Sequence, residues 1–99
     1  MRPHRLDDDA VQAGLAALPA WRRDGDMIRR SVEAPSFAAA IAIVTRIGFA
    51  AEAIDHHPDI DVRWRTLYLA LTTHDRGGIT DLDLELAATI DEITREVGA

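Results

Sequence analysis

Residues 52–74, EAIDHHPDIDVRWRTLYLALTTH, decide the fold. After Pro58, apolar residues alternate at Ile60, Val62 and Trp64, then again at Leu67, Leu69 and Leu71. Successive side chains of a strand point to opposite faces, so one strand keeps one phase. Here the phase changes from even to odd positions between Trp64 and Leu67. That change predicts two strands with a tight turn near Arg65–Thr66. A hairpin sets the start of its first strand beside the end of its second. His56 and His57, just before the hairpin, are therefore brought to the same sheet edge as His74, just after it.

Upstream of this stretch, Pro35-Ser36 marks a helix start, with Ser36 as the cap. The helix is expected to run to about Ile54, with Phe37, Ile41, Val44, Ile47, Ala51 and Ile54 as its apolar face. Ala38, Ala39, Ala42, Phe49, Ala50 and Ala53 make most of the remainder small or apolar too. A helix apolar nearly all round is buried on more than one side. In a chain of 99 residues that points to a homo-oligomer, a dimer or tetramer, with this helix or a sheet edge in the contact. His57 precedes Pro58, and the proline ring disfavours helical backbone at His57. The two adjacent histidines therefore fall at or just past the helix end, and Glu52 lies in its last turn.

Further upstream, Met1–Arg5 is expected to be frayed, and Asp7, Asp8 and Asp9 open a short helix. Val11, Leu15 and Leu18 lie at helical spacing, and Pro19 ends the helix. Ala20–Glu33 reads as a hairpin turning at Asp24-Gly25, where Gly accepts a positive φ. Trp21 opens its first strand, as a core residue or as the wall of a pocket. Downstream, Asp75-Arg76-Gly77-Gly78 is a loop, and Thr80 with Asp83 resembles a capping box. Leu82, Leu86, Ile90, Ile93 and Val97 make the stripe of a last helix that stops at Gly98. Asp83 can thus cap its own helix, or orient an imidazole near His74.

The sum is a single domain over residues 1–99 in the order α-β-β-α-β-β-α. Its fold class is α+β: two layers, a four-stranded antiparallel sheet with three helices on one face. A formal charge of −6 disfavours nucleic acid and anionic membranes as partners. With no cysteine there is no disulfide, thiolate metal site or cysteine nucleophile. No apolar run is long enough to span a bilayer and no secretory segment opens the chain, so a cytoplasmic protein is expected.

The chemistry concentrates in the histidines. Imidazole is the side chain whose ordinary titration falls near neutral pH, and three of the four histidines lie in residues 52–74. Phosphate-binding, dinucleotide and nucleophile-elbow motifs are absent. Zinc or iron on the histidines with Glu52 or Asp83 would require adjacent side chains to converge on one ion, so no metal is assigned. Proton transfer on a small bound molecule fits the set better.

Glu52-x-x-Asp55-His56-His57-Pro58, Trp64, Thr73-His74 and the segment Asp81–Ala87 resemble the pterin-4a-carbinolamine dehydratase family. Leu18–Trp21, Thr45-Arg46 and Gly78 extend the resemblance over nearly the whole chain. The chain departs from it at Ile60, where relatives commonly carry an aromatic. The resemblance implies a hydro-lyase that removes water from 4a-hydroxytetrahydropterin, giving quinonoid dihydropterin for recycling after aromatic amino acid hydroxylation. It implies His56 and His74 as acids for opposite faces of C4a, and His57 as a substrate-holding group. Glu52 and Asp83 would orient imidazoles, with Pro58 and Trp21 shaping the pocket. The pterin is the substrate, and no cofactor is implied. The rival class is a dimerising binding module on the same fold, a coactivator or an assembly factor.

Overall fold

The computed structural model describes residues 3–99 and has three helices over one face of a four-stranded antiparallel sheet. In chain order the elements are α1 (Asp8–Ala16), β1 (Arg22–Asp24), β2 (Met27–Glu33), α2 (Phe37–Ala53), β3 (Asp59–Arg63), β4 (Thr66–Leu71) and α3 (Asp81–Val97). A single 3₁₀ turn, His74–Arg76, separates β4 from α3. The sheet order is β1-β2-β4-β3. The two hairpins therefore meet through β2 and β4, with Ile28 opposite Leu71 and Val32 opposite Leu67.

Alternation sets the two faces. Ile28 and Val32 of β2 and Leu67, Leu69 and Leu71 of β4 point inward and are buried. There they join Val11 of α1, Ala40, Ile43, Ile47 and Ala51 of α2, and Leu86, Ala87, Ile90 and Ile93 of α3. The other face carries Ser31, Asp59, Asp61, Arg63 and Tyr68, all exposed. One dry face and one wet face are what an antiparallel sheet with one helical layer allows.

Local signals account for the helix starts. Asp7 Oδ1 accepts from Ala10 N at 2.8 Å, and Ser36 Oγ accepts from Ala39 N at 3.0 Å. Thr80 and Asp83 form a complete capping box on α3, which ends at Gly98 with φ 89°. Gly14 of α1 lies against Leu84 of α3, where a Cβ would sit 2.4 Å from Leu84 Cδ1. A side chain at position 14 would require Leu84 to move aside.

Three expectations are corrected. The buried stripe of α2 is Ala40, Ile43, Ile47 and Ala51, while Phe37, Ile41 and Phe49 are exposed. The second hairpin turns at Trp64-Arg65, since Arg63 already pairs with Thr66. Trp64 leaves the strand with φ 53°, is exposed, and carries the Arg65 guanidinium 5.0 Å from its ring centroid. At the amino end, Leu6 N donates to Ile79 O at 2.8 Å and the stem of Arg5 lies over Gly78, so Arg5 is not frayed. The expectation for Met1 and Arg2 lies outside the described residues. Of the two readings of Trp21, the structure shows the core one. Its indole is buried in the core, and Nε1 donates to Asp91 Oδ1 of α3 at 2.8 Å. Asp91 also takes the Arg30 guanidinium. Long-range polar partners hold the ring within the helix–sheet layer.

Candidate active site

The end of α2 delivers the histidine pair. Asp55 adopts φ 50°, in the left-handed region that a helix stop uses. His56 N donates to Ala51 O at 3.0 Å and Asp55 N to Glu52 O at 3.2 Å. These are the paired bonds of a Schellman stop, with His56 at the position that folds back on the last helical turn. The hairpin that follows places the end of β4 alongside. His56, His57, Thr72, His74 and Asp75 line one cleft of about 340 Å³ at that edge.

The two adjacent histidines have different surroundings. His56 is buried, at 4% exposure, and its Nε2 lies 2.6 Å from Asp83 Oδ1. Asp83 is fully buried at the start of α3. The two assignments considered for it meet in one carboxylate: Oδ2 accepts from Thr80 N at 2.9 Å as the cap, and Oδ1 faces an imidazole. That imidazole is His56, not His74. His57 is exposed, and its Nε2 donates to Glu52 Oε1 at 2.6 Å. His74 is exposed on the 3₁₀ turn, whose ends are tied by Thr73 N donating to Gly78 O at 2.9 Å.

Beside this cleft, Glu52, His57, Pro58 and Ile60 share a second, apolar concavity of about 450 Å³ with Thr45, Gly48 and Phe49 of α2. Pro58 is half-buried in the wall of the apolar concavity, and His57 lines both. Ile60, the position where the chain departs from the family pattern, forms part of this apolar wall. Trp21 lines neither cavity. Sequence reasoning missed Thr72, whose Oγ1 donates to Asp26 O of the first hairpin at 2.6 Å while the residue lines the histidine cleft. It carries no local signal, because its partner is 46 residues away. Among the described residues no group of three or more His, Cys, Asp or Glu side chains is arranged to hold a metal.

A cleft with one buried, carboxylate-bound imidazole and two exposed ones beside it suits proton exchange with a small molecule. The fold and the cleft therefore define an α+β domain with a histidine-lined cleft at one sheet edge. The model of the family described as pterin 4 alpha carbinolamine dehydratase matches residues 4–93, and the chain belongs to that family. A protein of Mycobacteroides abscessus, provisionally named a pterin-4-alpha-carbinolamine dehydratase, is 56% identical over 86 residues, covering 87% of this chain and 92% of its own. One of Nocardia farcinica with the same provisional name is 50% identical over 95 residues, 96% of this chain and 100% of its own. Among solved structures, a transcriptional coactivator/pterin dehydratase from Brucella melitensis superposes with a TM-score of 0.88 at 28% identity, covering 91% of this chain and 98% of that one. A pterin dehydratase-like RuBisCO assembly factor of the alpha-carboxysome shares the fold, with a TM-score of 0.67 at 19% identity over 81% of this chain and 92% of that one. No helix among the described residues is long and apolar enough to cross a membrane.

Proposed function

We propose that this protein is a hydro-lyase that dehydrates 4a-hydroxytetrahydropterin to quinonoid dihydropterin, in support of tetrahydropterin recycling for aromatic amino acid hydroxylation. The observation that carries the reading is the convergence of His56, His57 and His74 on one cleft, with the Asp83 carboxylate behind His56. Hydroxide is a poor leaving group, so the reaction needs an acid at the C4a oxygen. An imidazolium gives that oxygen a proton, and the C4a–O bond breaks with its electrons leaving on water. A ring-nitrogen lone pair forms the new C=N bond, and the proton released from nitrogen restores the acid. Catalysis of this kind contributes roughly 10²- to 10⁴-fold.

In this reading His56 and His74 are the acids, one for each face of C4a, and His57 holds the substrate with Glu52 fixing its ring. Asp83 orients His56, and Pro58 shapes the wall. The reading requires no metal or organic cofactor. It places the working protein in a homodimer or homotetramer, supported by the exposure of Phe37, Ile41 and Phe49 on α2. Such contacts close most often on a two-fold axis.

The second reading, a non-catalytic dimerising module, draws on the neighbours described as a coactivator and as an assembly factor. The second of these carries the fold alone, at 19% identity. The retained set of Glu52, His56, His57, His74 and Asp83 favours catalysis. Stopped-flow dehydration of enzymatically generated 4a-hydroxytetrahydropterin separates the two: acceleration that scales with protein concentration supports the hydro-lyase, and the uncatalysed rate at every concentration supports the module.

A further inference from the structure

The hydrogen bonds around Asp83 go deeper than its contact with His56. Thr73 is 1% exposed, and Thr80 and Asp83 are fully buried, so each polar atom here must be satisfied by the protein. Thr80 Oγ1 accepts from Leu82 N at 3.2 Å and lies 2.7 Å from Thr73 Oγ1. Thr73 Oγ1 donates to Asp83 Oδ2 at 2.9 Å, and Thr80 N donates to the same oxygen at 2.9 Å.

A hydroxyl has one proton to give. Thr73 gives its proton to Asp83, so the contact between the two threonines must be donated by Thr80. The hydroxyl chain therefore runs one way, from Thr80 through Thr73 into the carboxylate. Two donors on Oδ2 keep a carboxyl proton off that oxygen and favour the carboxylate form, in which Oδ1 also accepts and the proton of the His56–Asp83 contact lies on His56 Nε2. Thr73 also closes the turn carrying His74, through its backbone bonds with Gly78. One buried residue thus connects the orientation of His56 with the anchoring of His74.

We propose that Thr73 and Thr80 are positioning residues that, by keeping Asp83 an acceptor, hold the buried His56 ring of the histidine cleft in its Nε2-protonated tautomer. The kinetic consequence rests on the dehydratase reading; the tautomer does not.

The test is ¹⁵N NMR of the His56 imidazole in the wild-type protein, Thr73→Val and Thr73→Ser. The valine keeps the shape and removes the donor, whereas the serine keeps the donor. In wild type the neutral ring is expected to carry its proton on Nε2, and Thr73→Ser should match it. Thr73→Val should show a rise of the Nδ1-protonated form. Alongside, kcat for dehydration should fall about tenfold in Thr73→Val with KM changed less than about twofold, and Thr73→Ser should restore it. A wild-type ring protonated on Nδ1 overturns the proposal, as does an unchanged tautomer in folded Thr73→Val. If Thr73→Val does not fold, Thr73→Ala, which also removes the donor, is read in its place: a rise of the Nδ1-protonated form upholds the proposal, and an unchanged tautomer overturns it. A wild-type protein without dehydratase activity would refute the proposed function and leave the tautomer result to judge this inference.

Discussion

Replacing Asp83 by asparagine alters one buried group without altering its shape. Asp83 accepts from Thr73 Oγ1 and Thr80 N and faces His56 Nε2. The amide oxygen can still serve Thr73 and Thr80. The amide nitrogen is then left facing His56 Nε2, and as a donor it forces that nitrogen to accept. The three bonds survive, but each changes from charge-assisted to neutral. A hydrogen bond to a charged group contributes about 1.5–3 kcal/mol and a neutral one about 0.5–1.5 kcal/mol, so three bonds lose about 3 kcal/mol together. Relief from burying an anion offsets part of this, leaving a net destabilisation of about 2 kcal/mol. For a domain of 99 residues that lowers Tm by about 8–16 °C. The reversed tautomer should lower kcat by about 10²-fold or more, the scale of general acid–base catalysis. Thermal unfolding by circular dichroism and stopped-flow dehydration measure the two effects. A folded Asp83→Asn variant with wild-type Tm and kcat would refute the assignment of Asp83 to His56.

Three further outcomes follow from the same structure. His57→Ala removes an exposed imidazole held by Glu52, and KM for the 4a-hydroxypterin should rise more than kcat falls; the opposite split would make His57 an acid. Asp91→Ala strands the Arg30 guanidinium and the Trp21 indole, and should cost about 3 kcal/mol in urea unfolding while leaving turnover of the folded protein unchanged. Phe49→Glu, on the exposed side of α2, should leave the circular dichroism spectrum intact and reduce the particle mass by light scattering; an unchanged mass would place the subunit contact elsewhere.

Where sequence and structure agree, the signal was local. The phase change between Trp64 and Leu67 separates β3 from β4, and Asp7, Ser36 and Thr80 cap the helices they precede. The family and the α+β architecture were legible for the same reason, since the site motif and the alternation both sit in residues 52–74. The orientation of α2 was not legible. With alanine on several sides and large apolar residues on others, periodicity offers two faces and does not choose between them. The sheet selects the one where Ala40 and Ala51 admit close packing, and Phe37, Ile41 and Phe49 are left outside. Trp64 kept the alternation of β3 yet belongs to the turn, because Arg63–Thr66 pairing leaves only two residues to reverse the chain. Trp21 carries no sign of its partner, which is 70 positions away. Asp83 shows why choosing between a cap and a site residue can be a false choice: a carboxylate has two oxygens, and each has its own task.

The most direct test of the central claim is stopped-flow dehydration of each C4a stereoisomer by wild type, His56→Ala, His74→Ala and the double variant, with folding checked by circular dichroism. Wild type should accelerate both isomers. Each single variant should lose activity chiefly on one isomer, a different one for each, and the double variant should return to the uncatalysed rate. A folded double variant that retains wild-type turnover would contradict the site altogether.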